Sequence, residues 1–356
     1  MANRPMKFST FHLFHQFAGM SAPEVYGYHV ELVELLEELG FDGVWMAEHH
    51  FHDFGTVPNT LTMLAHLAGR TERLRLGTGI VVLPLRNPIH VAEEAAMVDL
   101  LSGGRLELGI GRGYQSIEFE NFGLDLAESR DRFDECLDVL LGLFTTEKFE
   151  YQGRFHETTH PLTLFPRPVQ RPHPPLHVAA ISPETVRKYA ARGLPILADP
   201  AAPFARIAEA ARTWHETAAA HGVDAVDTEL VASRVVYVAE SDERAREEQA
   251  RFEAAFDRTR VFLAGNAPID LKTGGAAKSY EYHLERLKDL SAEKDFAWNQ
   301  LEVIGDPERV IGQIRSIQDM GYGNLLCDFG STRQMPLEEM KKLLKFFAAE
   351  VMPAFR

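Results

Sequence analysis

The chain is poor in cysteine and in basic charge, and it lacks any long apolar run. Its 356 residues contain two cysteines, Cys136 and Cys327. They lie far apart and in no metal or redox spacing, which suits a reducing cytoplasm where disulfides are rare. Lys and Arg number 37 against 52 Asp and Glu, a formal net charge of −15. Nucleic-acid binders carry a basic field, so no such partner is expected, although one small basic site for a single phosphate is compatible with this charge. No run of about 18 apolar residues occurs, so no membrane span is expected. The opening MANRPMKFSTFHLF has neither a long apolar h-region nor an A-x-A site, so no signal peptide is expected. No G-x-G-x-x-G follows the first predicted strand, so no dedicated NAD(P)H-binding unit is expected.

What remains is ordinary globular composition, 45% hydrophobic and 25% charged, which excludes disorder for the bulk of the chain. Short apolar runs alternate with amphipathic stretches. Strands are predicted over Lys7–Leu13, Asp42–Glu48, Leu74–Leu83, Arg105–Ile110, Leu176–Ala180, Pro195–Ala198, Glu229–Ala239 and Asn324–Phe329. Helices are predicted over Pro23–Leu39, Asn59–Gly69, Pro88–Leu101, Ser129–Phe144, Pro183–Arg192, Phe204–His221, Asp242–Leu263, Pro307–Met320 and Leu337–Val351. In the first helix Val25, Leu32, Leu35, Leu36 and Leu39 share a face, and Gly40 ends it. Eight strands alternating with helices predict an α/β fold, a (β/α)8 TIM barrel of one domain over residues 1–356. Two insertions interrupt it. Residues 146–175 hold six prolines and three histidines without helical period and precede strand five, with room for a small hairpin. Residues 265–298 are irregular at first, then briefly helical.

Active sites of such barrels sit at the C-terminal ends of the strands. Strand one ends near His12, Phe14, His15 and Gln16; strand two runs into Glu48-His49-His50-Phe51-His52-Asp53. On strand four Leu106, Leu108 and Ile110 alternate with Glu107, Gly109 and Gly111, so one face is small. Turned inward, it leaves room for a flat ligand; alternatively the glycines only permit close packing. Arg112 follows in a glycine-flanked turn and can hold a phosphate bidentately, or pair with an acid on the surface. Ser182 to Thr185 opens a helix whose free N–H groups favour an anion, or Ser182 is simply its cap. The histidines allow three readings. His50 and His52 can pair as metal ligands of a barrel hydrolase, completed by His177 and Asp328. His49, tuned by Glu48, can act as an acid/base beside an organic cofactor. Or the loop backbone can satisfy them all.

At these residues the sequence resembles the bacterial luciferase-like family of flavin-dependent monooxygenases, over nearly the whole chain. The matching stretches are Gly40-Phe41-Asp42 through Trp45, Glu48-His49-His50-Phe51 and Phe54-Gly55. Leu76-Gly77-Thr78, Val82-Leu83-Pro84 and Asn87-Pro88 follow. Then come Asp99, Ser102-Gly103-Gly104-Arg105, Gly109-Ile110-Gly111-Arg112-Gly113, Phe122-Gly123 and Ser129-Arg130. Arg192-Gly193-Leu194-Pro195 and Val351-Met352-Pro353 complete the series.

The resemblance implies a luciferase-like barrel, a homodimer, and reduced FMN as co-substrate, with the deazaflavin F420 used in one branch. It implies that Arg112 and Arg130 hold the flavin phosphate, assisted by Ser182 and Thr185, with Tyr114 and Ala180 also at the cofactor. The Gly79-Ile80 peptide matches a non-proline cis peptide under the flavin ring. His49 matches the catalytic histidine, acting where O2 forms a flavin hydroperoxide. His12, Phe14, Gln16, Glu48 and Gln115 are expected on the substrate side, and 265–298 falls where luciferases carry a mobile lid. A separate reductase is expected to supply the flavin, and a small organic molecule to be the substrate. No metal is expected. Gly111 stands where luciferase alpha chains have cysteine, and Gly113-Tyr114-Gln115 also differs from luciferase; both changes put light emission and a long-chain aldehyde substrate in doubt. A non-catalytic flavin-binding protein and the metal hydrolase are the alternatives.

Overall fold

The computed structural model describes residues 5–17, 19–224, 228–251, 269–270, 275–276, 295–330 and 335–356. Eight strands form the barrel: β1 (Lys7–His12), β2 (Gly43–Met46), β3 (Arg75–Thr78), β5 (Leu106–Gly111), β6 (Leu176–Ala179), β7 (Ile196–Ala198), β8 (Leu230–Val238) and β12 (Tyr322–Asp328). Each pairs in parallel with the next, and β12 pairs with both β8 and β1, which closes the ring. This is the expected (β/α)8 architecture. Two short strands add to it: β4 (Val81–Val82) pairs with β5, and β11 (Val303–Gly305) extends the end of β8. The fragments β9 (Ile269–Asp270) and β10 (Gly275–Ala276) form a separate antiparallel pair.

The surrounding helices are α1 (Ala22–Leu39), α2 (Thr60–Ala68), α3 (Pro88–Leu101), α4 (Ser116–Asn121), α5 (Ser129–Thr145), α6 (Pro183–Ala190), α7 (Phe204–Ala220), α8 (starting at 242 and described to 251), α9 (Pro307–Asp319) and α10 (Leu337–Glu350). Three of them start with the same local chemistry. Asn87-Pro88, Ser182-Pro183 and Asp306-Pro307 each place a capping oxygen on a free backbone N–H, followed by a proline that needs no donor. Helix α1 stops where Gly40 turns to φ 77°, a conformation that glycine adopts without penalty.

Several boundaries differ from the sequence pattern. The single strand predicted over 74–83 is two strands, β3 and β4, with a cis Gly79–Ile80 peptide between them. Helix α4 and strand β11 had no counterpart, because both are too short to show a period. Residues 146–175 carry two antiparallel bridges, Phe149 to Leu162 and Gln152 to Glu157. The region expected to form a lid, 265–298, falls mostly outside the described residues.

The inner barrel is filled by Trp45, which packs with Leu197, Val231, Leu326, Phe11 and Ile80. The inward small face of β5 is real, but its room is taken by side chains. A Cβ on Gly77 would lie 2.2 Å from the Trp45 ring, one on Gly109 3.0 Å from it, and one on Gly111 2.1 Å from Ile80 Cδ1. Below Trp45, at the N-terminal floor, Glu107 accepts from Arg75 and pairs with His177 at 2.8 Å. Burial pushes the Glu107 carboxyl up, but the His177 hydrogen bond and the His177 and Arg75 charges outweigh it and leave it below the usual range. Gln170, from the 146–175 excursion, bridges Arg75 to Asp99 and seals this end.

Candidate active site

The C-terminal ends of β2, β5 and β6 converge on one rim. After β2 the chain presents Glu48, His49 and His50. Glu48 is fully sequestered, accepting from the Val82 N–H at 3.2 Å, contacting His50 Nε2 at 3.4 Å and facing Arg86 at 3.8 Å. His49 is held differently. Its Nδ1 lies 3.0 Å from Glu118 Oε1, and the same oxygen accepts the His50 N–H at 3.0 Å. The opposite edge of the His49 ring abuts Gly55, where a Cβ would come within 2.9 Å of Cδ2. The ring is thus fixed on two sides while its side chain stays 14% exposed.

The cation-bearing end of the rim lies on β5 and β6. Gly109 and Ile110 pair with His177 and Val178; continuing that register sets Arg112 level with Ala180, two residues before the Ser182 cap. Ser182 Oγ accepts the Thr185 N–H at the start of α6, and Ser182 also bonds the Thr185 hydroxyl at 2.8 Å. Arg130, near the start of α5, reaches the same helix start, 3.5 Å from Glu184. Arg112, Arg130, Ala180, Ser182 and Thr185 therefore belong to one end of the rim. Gly79 and Ile80 cover the barrel centre between the two ends, with Ile80 seated over Gly111. Tyr114 is half-buried, and Gln115 is 2% exposed with a buried Oε1 that has no partner among the described residues.

Three residues expected on the substrate side lie elsewhere. On β1 the residues facing the barrel are Phe11 and, just beyond, Leu13, which pack with Trp45 and with Ala47 and Phe54. His12 points the other way. It bonds Thr10 at 2.9 Å and His29 of α1, Nδ1 to Nδ1, at 2.9 Å. Burial pushes its imidazole down to about 3, so it is neutral. Phe14 stacks on His29 with 4.1 Å between ring centroids and edges onto Tyr26, as part of the core. Gln16 donates to the Met20 carbonyl in its own loop. The physical reason is the two-residue alternation of a strand: the expectation followed nearness to the strand end, not the parity of the position.

The metal reading fails on geometry as well. His50 is committed to Glu48, His52 Nδ1 accepts the Phe54 N–H at 2.8 Å, and His177 lies in the floor with Glu107. Among the described residues no three His, Cys, Asp or Glu side chains converge as a metal site. Also among the described residues, no helix is long and apolar enough to cross a membrane.

The sequence reading missed Glu118, Phe11 and Phe54. Phe11 was within reach, since it sits one position before His12 on the inward face. Glu118 gave no local signal; its partner lies 69 residues away.

Comparison with known proteins identifies the family. A family model described as luciferase-like monooxygenase matches residues 6–323. The oxygenase component of the flavin-dependent trigonelline monooxygenase of Acinetobacter baylyi is 29% identical over 353 residues, covering 98% of this chain and 96% of that one. An uncharacterized Sinorhizobium fredii protein, y4vJ, is 40% identical over 188 residues; the match takes in 51% of this chain and spans 52% of that relative's length. The crystal structure of monooxygenase RslO1 from Streptomyces bottropensis superposes with a TM-score of 0.82 at 29% identity, covering 99% of this chain and 100% of that chain. With its closed barrel and a histidine-bearing rim, the chain belongs to the luciferase-like monooxygenase family of flavin-dependent enzymes.

Proposed function

We propose that the chain is the oxygenase component of a two-component system. It takes reduced FMN from a separate reductase and places one oxygen atom of O2 into a small organic substrate. The second oxygen leaves as water and the flavin departs oxidised. The observation that carries this reading is the two-ended rim: a helix start and two arginines at one end, a tethered imidazole at the other.

The residues fit a flavin mononucleotide. The start of α6 offers a favourable dipole and the Ser182 and Thr185 hydroxyls to a phosphate, and Arg112 and Arg130 add charge in an otherwise acidic protein. The Gly79–Ile80 segment gives the ring an apolar seat. The orphaned Gln115 Oε1 is an acceptor left for an N–H or O–H of the bound flavin or substrate. When bound, the flavin supplies the electrons that activate O2. The chain orients it, excludes water, and through His49 takes or returns a proton at the reacting end. The strand-four sequence Gly109 to Gly113 favours FMN over F420, because it resembles the luciferase branch. The relative named as an oxygenase component supports a partner reductase.

A cytoplasmic homodimer accompanies this reading. The outer face of α3 exposes Met97, Leu100 and Leu101 at 51%, 43% and 61%, with Val169 beside the turn that follows. This apolar strip supports a contact with a second copy of the chain.

Titration with FMN, followed by oxygen uptake with reduced FMN, tests the proposal. Saturable flavin binding and protein-dependent oxygen use are expected. A tightly held stoichiometric metal ion with no flavin binding would overturn it.

A further inference from the structure

We infer that Glu118 is a positioning residue that decides which nitrogen of His49 meets the substrate. The inference rests on the proposed role of His49. The His49 Nδ1 and the His50 backbone N–H converge on the single oxygen Glu118 Oε1, each at 3.0 Å. A carboxylate is an acceptor only, so this arrangement puts the imidazole hydrogen on Nδ1 and leaves the lone pair on Nε2. His49 therefore enters the reaction as a base at Nε2.

The surroundings favour one orientation. Gly55 closes one edge of the ring, and Phe54 leans on it with 5.6 Å between centroids. The Glu118 side chain is 3% exposed, so little water competes for its oxygen. The second rim carboxylate is engaged elsewhere: Glu48 Oε1 accepts the Val82 N–H and contacts His50 Nε2, and its Oε2 faces Arg86 at 3.8 Å. The two glutamates thus divide the two histidines between them. Helix α4 adds a consequence. Its N-terminal flank is Gln115, whose buried oxygen is unpartnered among the described residues, so the element that would touch the substrate also carries the tether of the base.

The test is nitrogen NMR of protein labelled in its histidines, at alkaline pH where free imidazoles are neutral. A His49→Gln sample identifies the His49 signals. In the unmodified chain Nδ1 is expected to be protonated and Nε2 bare; a protonated Nε2 overturns the inference without any Glu118 variant being needed. In Glu118→Ala the two tautomers should approach equal populations, and Glu118→Asp should restore part of the bias. An unchanged tautomer in Glu118→Ala also overturns it. Oxidised FMN affinity, measured on the same samples, should stay within about twofold, since the tether is remote from the phosphate end. Loss of FMN binding by the unmodified chain would refute the proposed function and leave the tautomer assignment standing, so the two failures are distinguishable.

Discussion

The floor and the mouth of this barrel each hold a histidine–carboxylate pair, and the pairs differ in what surrounds them. In the floor, His177 and Glu107 sit on adjacent strands, 2.8 Å apart, with Arg75 as a third member and Trp45 edge-on to the imidazole at 5.3 Å. Every partner there is fixed by the sheet. At the mouth, His49 and Glu118 sit on a loop and on a six-residue helix, 3.0 Å apart, and the imidazole is partly open. The same two residue types thus serve as a clamp where strands hold them and, in the proposed function, as a reagent where loops do. This division matches the general rule that barrel floors stabilise and barrel mouths react.

The comparison breaks most directly at the floor. Glu107→Gln should leave His177 and Arg75 without their buried counter-charge and cost about 3–5 kcal/mol in urea unfolding. A change within 0.5 kcal/mol would show that the floor pair is incidental. The mouth should answer in the opposite way. His49→Ala should keep the unfolding midpoint, yet lower product formed per O2 consumed about 100-fold with any substrate that turns over, the oxygen appearing as peroxide. A stable, fully coupled variant would remove His49 from the chemistry.

A third pair sharpens the contrast because it has no carboxylate at all. Burial keeps His12 and His29 neutral, lowering His12 to about 3 and His29 well below its ordinary value, and a proton on His12 would lower His29 further. A folded-state value depressed below the unfolded 6.5 means that the unfolded chain binds more protons as pH falls. The stability is complete above pH 6.5 and declines from there toward pH 3. His12 alone should account for about 2 kcal/mol between pH 7.5 and pH 5. His12→Gln should flatten that slope in paired denaturant titrations; an identical slope would show that the imidazole pair is open to solvent. The smallest effect is expected outside the barrel. Met97→Asp with Leu101→Asp should leave FMN binding intact while the proposed homodimer sediments as a monomer; an unchanged sedimentation coefficient would remove α3 from the contact.

Much of this was legible in the chain. The eight strands, the Asn87-Pro88, Ser182-Pro183 and Asp306-Pro307 helix starts and the end of α1 at Gly40 follow from local chemistry. The rim residues Arg112, Ser182 and His49 follow from strand ends and from the family resemblance. What was not legible depended on partners remote in sequence. Glu118 is one acid on a short helix until His49 is set beside it. Gly109 and Gly111 read as space for a flat ligand until Trp45 and Ile80 are seen to press against them. His12 and Phe14 lay near the right strand end, but strand parity turned His12 toward α1 and Phe14 packs on His29 beside it.

The central claim is electrostatic, and comparing FMN with riboflavin tests it most directly, because the two differ only by the phosphate. Titrating both ligands into the unmodified chain and into Arg112→Ala should show about tenfold or greater loss of FMN affinity in the variant, with riboflavin affinity unchanged. Equal weakening of both ligands, or of neither, would contradict a phosphate site on this rim.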